Sequence, residues 1–177
     1  MPFRGRNIQL QFVTLFSCNR SPTFMFWNVL ESNTLGSVAG LTSPLVVRGE
    51  IPPQIDGTYY RVMPDALWAP LYDDDVFING DGAVDAVRIK DGHADFKQKF
   101  VRTEKFTIER AARKAVYGKY RNRYTDDPRV RTRCHATANT HVVYFENQLL
   151  ALKEDSLPYA MNPDTLETKG KSTTEPA

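Results

Sequence analysis

The clearest chemical feature of this chain is the adjacent pair Lys153-Glu154, a cation and a carboxylate set where a β hairpin ends. His141 to Phe145 and Leu149 to Leu152 are two β-rich runs, and Glu146-Asn147-Gln148 between them is turn-forming. The second run delivers its polar pair at the strand end, where charges can face a site. The histidines offer less. His93 follows an Asp-Gly turn and reads as solvated. His135 and His141 would share one strand face beside Cys134, but Thr137 to Thr140 reads as a turn or strand start between them, so no metal site is expected there. Asp73-Asp74-Asp75 lacks the fixed glycine and terminal glutamate of a calcium loop and reads as a charged loop tip that binds nothing. Phe77 and Trp68 have the character to line a pocket for a flat apolar molecule, or to pack as ordinary core.

Short strands must carry these residues. Leu45 to Val47, Thr58 to Val62, Val84 to Ile89 and Ala94 to Val101 are β-rich runs, each bounded by turn residues. Lys90-Asp91-Gly92 predicts a tight hairpin, since Asp-Gly tolerates the positive φ such turns require. Gly57 and Gly80-Asp81-Gly82 punctuate in the same way. One segment breaks the pattern: Thr107 to Lys119 places Ile108, Ala111, Ala112 and Val116 at helical spacing, which predicts a short amphipathic helix capped by Thr107 and ended by Gly118. Residues 1–40 have no clean periodicity and read as a variable leader or as a strand that closes a sheet. The expected organisation is a leader over 1–40, a β body over 41–170 and a divergent tail over 171–177.

Composition sets the outer bounds. With 41% hydrophobic and 25% charged residues among 177, the chain has the balance of a folded globular protein. Its net charge of +2 does not call for nucleic acid or an anionic membrane. Cys18 and Cys134 are far apart, with neither a disulfide framework nor a thiolate metal spacing, and this points to a cytoplasmic protein with reduced thiols. No run is long and apolar enough to span a bilayer, and the N-terminus makes a poor signal peptide.

Four segments occur in a recognisable order: GEIPPQIDGTYYR (Gly49 to Arg61), FINGDGAVDAVRIKDGHA (Phe77 to Ala94), KYRNRYTDDP (Lys119 to Pro128) and the stretch from Ala138 to Gly170. Together they resemble the carotenoid cleavage oxygenases, and most of all the branch that cleaves lignostilbene and resveratrol. The resemblance implies an all-β fold, here the N-terminal piece of a seven-bladed β-propeller with one short inserted helix. It also implies a non-haem Fe(II) centre held by histidines, of which the first stands in an Ala-His-Pro segment downstream of the Thr165-Leu166-Glu167-Thr168 motif. This chain departs into Lys171 to Ala177 before reaching that segment, so no iron is expected to bind it alone and no turnover is expected from it.

By the same resemblance, Tyr120 and Lys153 anchor the para-hydroxyl of a stilbene, and Glu154 accepts a hydrogen bond from an iron-bound imidazole, fixing its tautomer. A phenol has a pKa near 10, and an ammonium beside it favours the phenolate, whose electrons reach the conjugated double bond. Tyr124 competes for the tyrosine role, and Phe77 is a candidate wall of the substrate pocket. The implied substrate is a phenolic stilbene, or alternatively a carotenoid or apocarotenoid, cleaved with molecular oxygen to two aldehydes.

Two other function classes stay open at this point. Lys105 to Arg133 holds ten Lys or Arg against three Asp or Glu, interleaved with Phe106, Tyr117, Tyr120 and Tyr124, a mixture that suits single-stranded nucleic acid. No RNA-binding signature accompanies it, and no nucleic-acid partner is expected. The other alternative is a non-enzymatic chain whose unpaired strands associate with other propeller chains.

Overall fold

Two tight turns set the strand pairing. Asp91 and Gly92 take φ of 49° and 75° and close a hairpin between β3 (Asp81–Lys90) and β4 (His93–Phe100). Glu146 and Asn147, at φ 46° and 60°, do the same between β5 (His141–Phe145) and β6 (Gln148–Lys153), with the Tyr144 hydroxyl donating to Asn147 Oδ1 at 2.7 Å. The structure, a computed structural model, describes residues 41–45 and 47–172. The expected leader and the last five residues of the expected tail lie outside the described residues.

With β1 (Leu41–Pro44), β2 (Gly57–Asp65), β7 (Ser156–Met161) and β8 (Thr168–Lys171), the strands form two four-stranded sheets ordered β1-β4-β3-β2 and β5-β6-β7-β8. The second is an antiparallel meander running from His141↔Leu152 through Leu149↔Met161 to Tyr159↔Lys171. Among the described residues the fold is all-β with one short α-helix, as the sequence predicts. The first strand lies at Leu41–Pro44 rather than at Leu45 to Val47. Pro44 ends this outer strand, where proline is tolerated.

The described residues cluster into two parts, one up to Tyr59 with Ala86–Lys97, the other Tyr60–Asp85 with Gln98 onward. In the first, Ile51, Val87 and Ala94 are buried, with Leu45, Val47, Ile89 and Phe96 packed against them. In the second, Val116, Tyr117 and Val130 form a core flanked by Ile108. Gly82 of β3 has no room for a side chain, because a Cβ there would lie 2.2 Å from the Ala138 carbonyl oxygen. Its N–H donates to Thr137 O at 2.8 Å and its carbonyl accepts from Val101 N at 2.7 Å, so backbone packs directly on backbone.

The helix α1 runs over Glu104–Ala112, earlier than the expected Thr107 to Lys119. Thr103 is the cap, its hydroxyl accepting from Phe106 N at 3.1 Å, while Thr107 lies inside the helix and donates its own hydroxyl back to Thr103 O at 2.8 Å. Arg113 ends the helix in the left-handed conformation at φ 55°. The buried face is Lys105, Phe106 and Glu109, whereas Ala111 and Ala112 are exposed and Val116 lies beyond the helix. The apolar stripe read from spacing is therefore not the face the helix buries. A buried charge pair takes its place.

Candidate functional site

In β6 the residues alternate, so Leu149, Ala151 and Lys153 share the buried face. The register against β7 shifts between Ala151 and Lys153, a local irregularity just before the lysine. Lys153 is consequently buried, its side chain 1% exposed, and its ammonium finds no hydrogen-bond acceptor among the described residues. The nearest carboxylate oxygen is Glu154 Oε2 at 3.8 Å, too far for a strong hydrogen bond.

Tyr120 supplies the other half of the corner. Lys153 Nζ sits 4.8 Å from the centroid of the Tyr120 ring, and Arg121 Cζ lies 5.1 Å from the same centroid. Tyr124, by contrast, is 90% exposed. Glu154 is exposed and accepts from the Thr140 hydroxyl at 3.3 Å. Its carboxyl is held below its ordinary pKa, first by its own backbone N–H and then by Lys153 and Thr140, so it stands ionised as an acceptor. Phe77 lies on the 3-10 turn Phe77–Asn79 and is 75% exposed, and Trp68 is half-buried. The structure thus brings Lys153, Glu154 and Tyr120 together and leaves Phe77 on a neighbouring turn.

The segment that carries Tyr120 has no regular secondary structure, so side chains must hold it. Asp75, expected to bind nothing, accepts from Tyr120 N at 3.0 Å, and Asp74 pairs with Lys119 Nζ at 2.6 Å. The acidic run is a charged loop tip, as expected, and it also fastens the Tyr120 backbone and the Lys119 side chain. A second group that sequence reasoning missed is the buried triad Lys105, Asp81 and Glu109. Its one signal in sequence is the four-residue spacing of Lys105 and Glu109, which reads by default as a surface pair.

Four of the ten cations in the basic stretch from 105 to 133 are paired with carboxylates, most of these from outside it. Lys105 pairs with Asp81 and Glu109, Lys119 with Asp74, Arg129 with Asp127 at 2.7 Å and Arg133 with Glu104 at 3.6 Å. Among the described residues no three His, Cys, Asp or Glu side chains converge as cation ligands. His93 and His141 are exposed, and His135 packs on the Tyr117 ring with centroids 4.7 Å apart. The three histidines are not brought together as a ligand set.

Buried titratable groups make stability depend on pH. Burial and the nearby Lys105 push His135 down to about 4. Burial, with Asp81 and Asp85 close by, pushes Asp65 up to about 6. A carboxyl whose folded pKa is raised costs stability above that value and is relieved as pH falls from about 6 toward 3.8. Asp65→Asn is therefore expected to stabilise the protein at pH 7 by about 2 kcal/mol, less than the full shift because water still reaches the side chain. Paired urea titrations should show this gain vanish near pH 4; a gain independent of pH would refute the assignment.

Two four-stranded sheets carry a small corner built from a buried ammonium and an aromatic ring. A family model described as RPE65, retinal pigment epithelial membrane protein, matches residues 37–176, and the chain belongs to this family of carotenoid cleavage oxygenases. It is 59% identical over 133 residues to resveratrol cleavage oxygenase 1 of Aspergillus fumigatus, covering 75% of this chain and 26% of that protein. It is 56% identical over 126 residues to carotenoid cleavage oxygenase 1 of Neurospora crassa, covering 71% and 24%. The crystal structure of Pseudomonas brassicacearum lignostilbene dioxygenase superposes with a TM-score of 0.72 at 36% identity, over 78% of this chain and 29% of that one. The chain thus spans about a quarter of the length of the curated relatives it matches. Its two sheets are part of a β-propeller, as the resemblance implied.

Proposed function

We propose that this chain forms the phenol-binding side of an oxygenase that cleaves the central carbon-carbon double bond of a hydroxylated stilbene. One molecule of oxygen is consumed and each alkene carbon leaves as an aldehyde. The observation that carries the reading is Lys153, a buried ammonium with no hydrogen-bond acceptor among the described residues, 4.8 Å from the Tyr120 ring centroid. An ammonium held this way favours an anionic oxygen beside it, and a para-hydroxyl stilbene offers one at the cost of a single proton. The phenolate then feeds electron density through the conjugated system toward the alkene. Carotenoids and apocarotenoids, the runner-up substrates, have no phenol for this corner to hold.

The remaining parts of the reading rest on the family. Fe(II) is the metal the resemblance brings, and its ligands are not among the described residues. Glu154, an ionised and exposed acceptor, suits a role in orienting a donor imidazole. A cytoplasmic location rests on cysteine spacing alone; among the described residues no helix is long and apolar enough to cross a membrane.

The test is a fluorescence titration of the native protein, at the length its source cells make it, with 4-hydroxystilbene and with its 4-methoxy ether. Tighter binding of the free phenol, growing as pH rises toward the phenol pKa, is expected. Equal binding of the two at every pH would overturn the reading.

A further inference from the structure

We infer that Asp75 is a positioning residue for the site, acting through Tyr120, and that discrimination for a phenol depends on it. The inference rests on the phenol-binding reading and names the device that keeps the Tyr120 ring against Lys153.

Gly118 to Arg121 belong to no strand or helix, and Arg121 takes the left-handed conformation at φ 56°, so no ladder fixes Tyr120. Its half-buried N–H instead donates to Asp75 Oδ1 at 3.0 Å. The same oxygen accepts from Val76 N at 2.9 Å, which fixes the carboxylate relative to its own loop. The other oxygen, Oδ2, accepts from Asn79 Nδ2 at 2.6 Å, and that amide donates a second time to Gly118 O at 2.9 Å. Asp75 and Asn79 therefore grip the Tyr120 segment at two backbone atoms, Gly118 O and Tyr120 N.

The grip is itself braced. Asn139 Nδ2 donates to Ile78 O at 2.8 Å and to Gly80 O at 2.6 Å, tying the 75–80 turn to the residues that precede β5. Lys119 is drawn the same way, pairing with Asp74 at 2.6 Å and lying 5.3 Å above the Tyr72 ring. With Tyr120 so held, its ring covers one side of the Lys153 ammonium, and the donors left over define where a phenolic oxygen must sit. Loss of the Asp75 acceptor leaves a half-buried backbone N–H unpaired and lets the ring drift from the ammonium. A misplacement of about 1 Å is enough to cost a site its selectivity.

The experiment compares Asp75→Ala, Asp75→Asn and Lys153→Met in the native protein, reading the affinity ratio of 4-hydroxystilbene to its 4-methoxy ether. This ratio is independent of the fraction folded, so a merely structural role leaves it unchanged. Asp75→Ala is expected to lower the ratio about tenfold. Asp75→Asn should restore part of it, because its amide oxygen still accepts from the Tyr120 N–H while its NH2 meets the Asn79 amide donor. If Asp75→Ala does not fold, Asp75→Glu serves instead: it keeps the charge but moves the acceptor by one methylene, and is expected to lower the ratio further than Asp75→Asn does. A full ratio in Asp75→Ala, or in Asp75→Glu, together with a lost ratio in Lys153→Met overturns the role of Asp75 and leaves the phenol reading intact. An unchanged ratio in Lys153→Met overturns the phenol reading itself.

Discussion

Lys105→Met is expected to cost about 3–5 kcal/mol of folding stability, a large part of what holds an ordinary domain together. Lys105 Nζ lies 3.0 Å from Asp81 Oδ1 and 2.8 Å from Glu109 Oε2, and the three side chains are 7%, 1% and 2% exposed. Burial alone would push the lysine pKa down, but the two carboxylates outweigh it and hold the pKa above its ordinary value. Neither carboxylate can swing out to water once the cation is gone. Glu109 Oε1 accepts from Val116 N at 2.9 Å and from Tyr117 N at 3.0 Å, and Asp81 Oδ2 accepts from Leu67 N at 3.3 Å. The methionine variant thus leaves two anchored carboxylates without their cation. Urea unfolding of parent and variant measures the cost; a loss under about 1 kcal/mol would mean that the triad is hydrated and contributes little. Neutralising both acids as well, with Asp81→Asn and Glu109→Gln, should recover much of the loss, since the penalty is the unpaired charge rather than the missing bond.

Lys153→Met is expected to act in the opposite direction on stability and strongly on binding. The Lys153 ammonium is buried with no hydrogen-bond acceptor among the described residues, so replacing it with an apolar side chain of similar length should raise the melting temperature. The phenol then loses a charge-assisted hydrogen bond worth about 1.5–3 kcal/mol, which is a 10- to 100-fold drop in affinity for 4-hydroxystilbene with little change for its methyl ether. A lysine kept only for packing would give neither result. A variant that unfolds earlier and binds both compounds as before would end the case for a phenol anchor.

The parts of the fold legible in sequence are those written in local chemistry. Lys90-Asp91-Gly92 and Glu146-Asn147-Gln148 each mark a hairpin because positive φ favours a few residue types at fixed places. The alternation Leu149-x-Ala151-x-Lys153 also stood in the sequence, and carried through it puts the lysine on the buried face. The helix was shifted because two threonines four residues apart can each cap, and the sequence does not say which hydroxyl turns back into the preceding turn. Asp75 and Asp81 were not readable as positioning groups at all. Their partners, Tyr120 N and Lys105 Nζ, lie 45 and 24 residues away, and such pairings exist only once the chain has folded.

The order of strands in the two sheets bears on the time course of folding. In the β5 to β8 sheet every strand pairs with its neighbour in sequence, so each hairpin closes a short loop at low entropic cost. In the other sheet β1 must find β4 across the intervening hairpin, a search over some fifty residues. The meander should therefore form first, and amide protection in pulsed hydrogen exchange is expected to rise in β6 and β7 ahead of β4. That sequence of events has the β5 to β8 sheet turn the Lys153 ammonium inward before the rest of the described structure is in place.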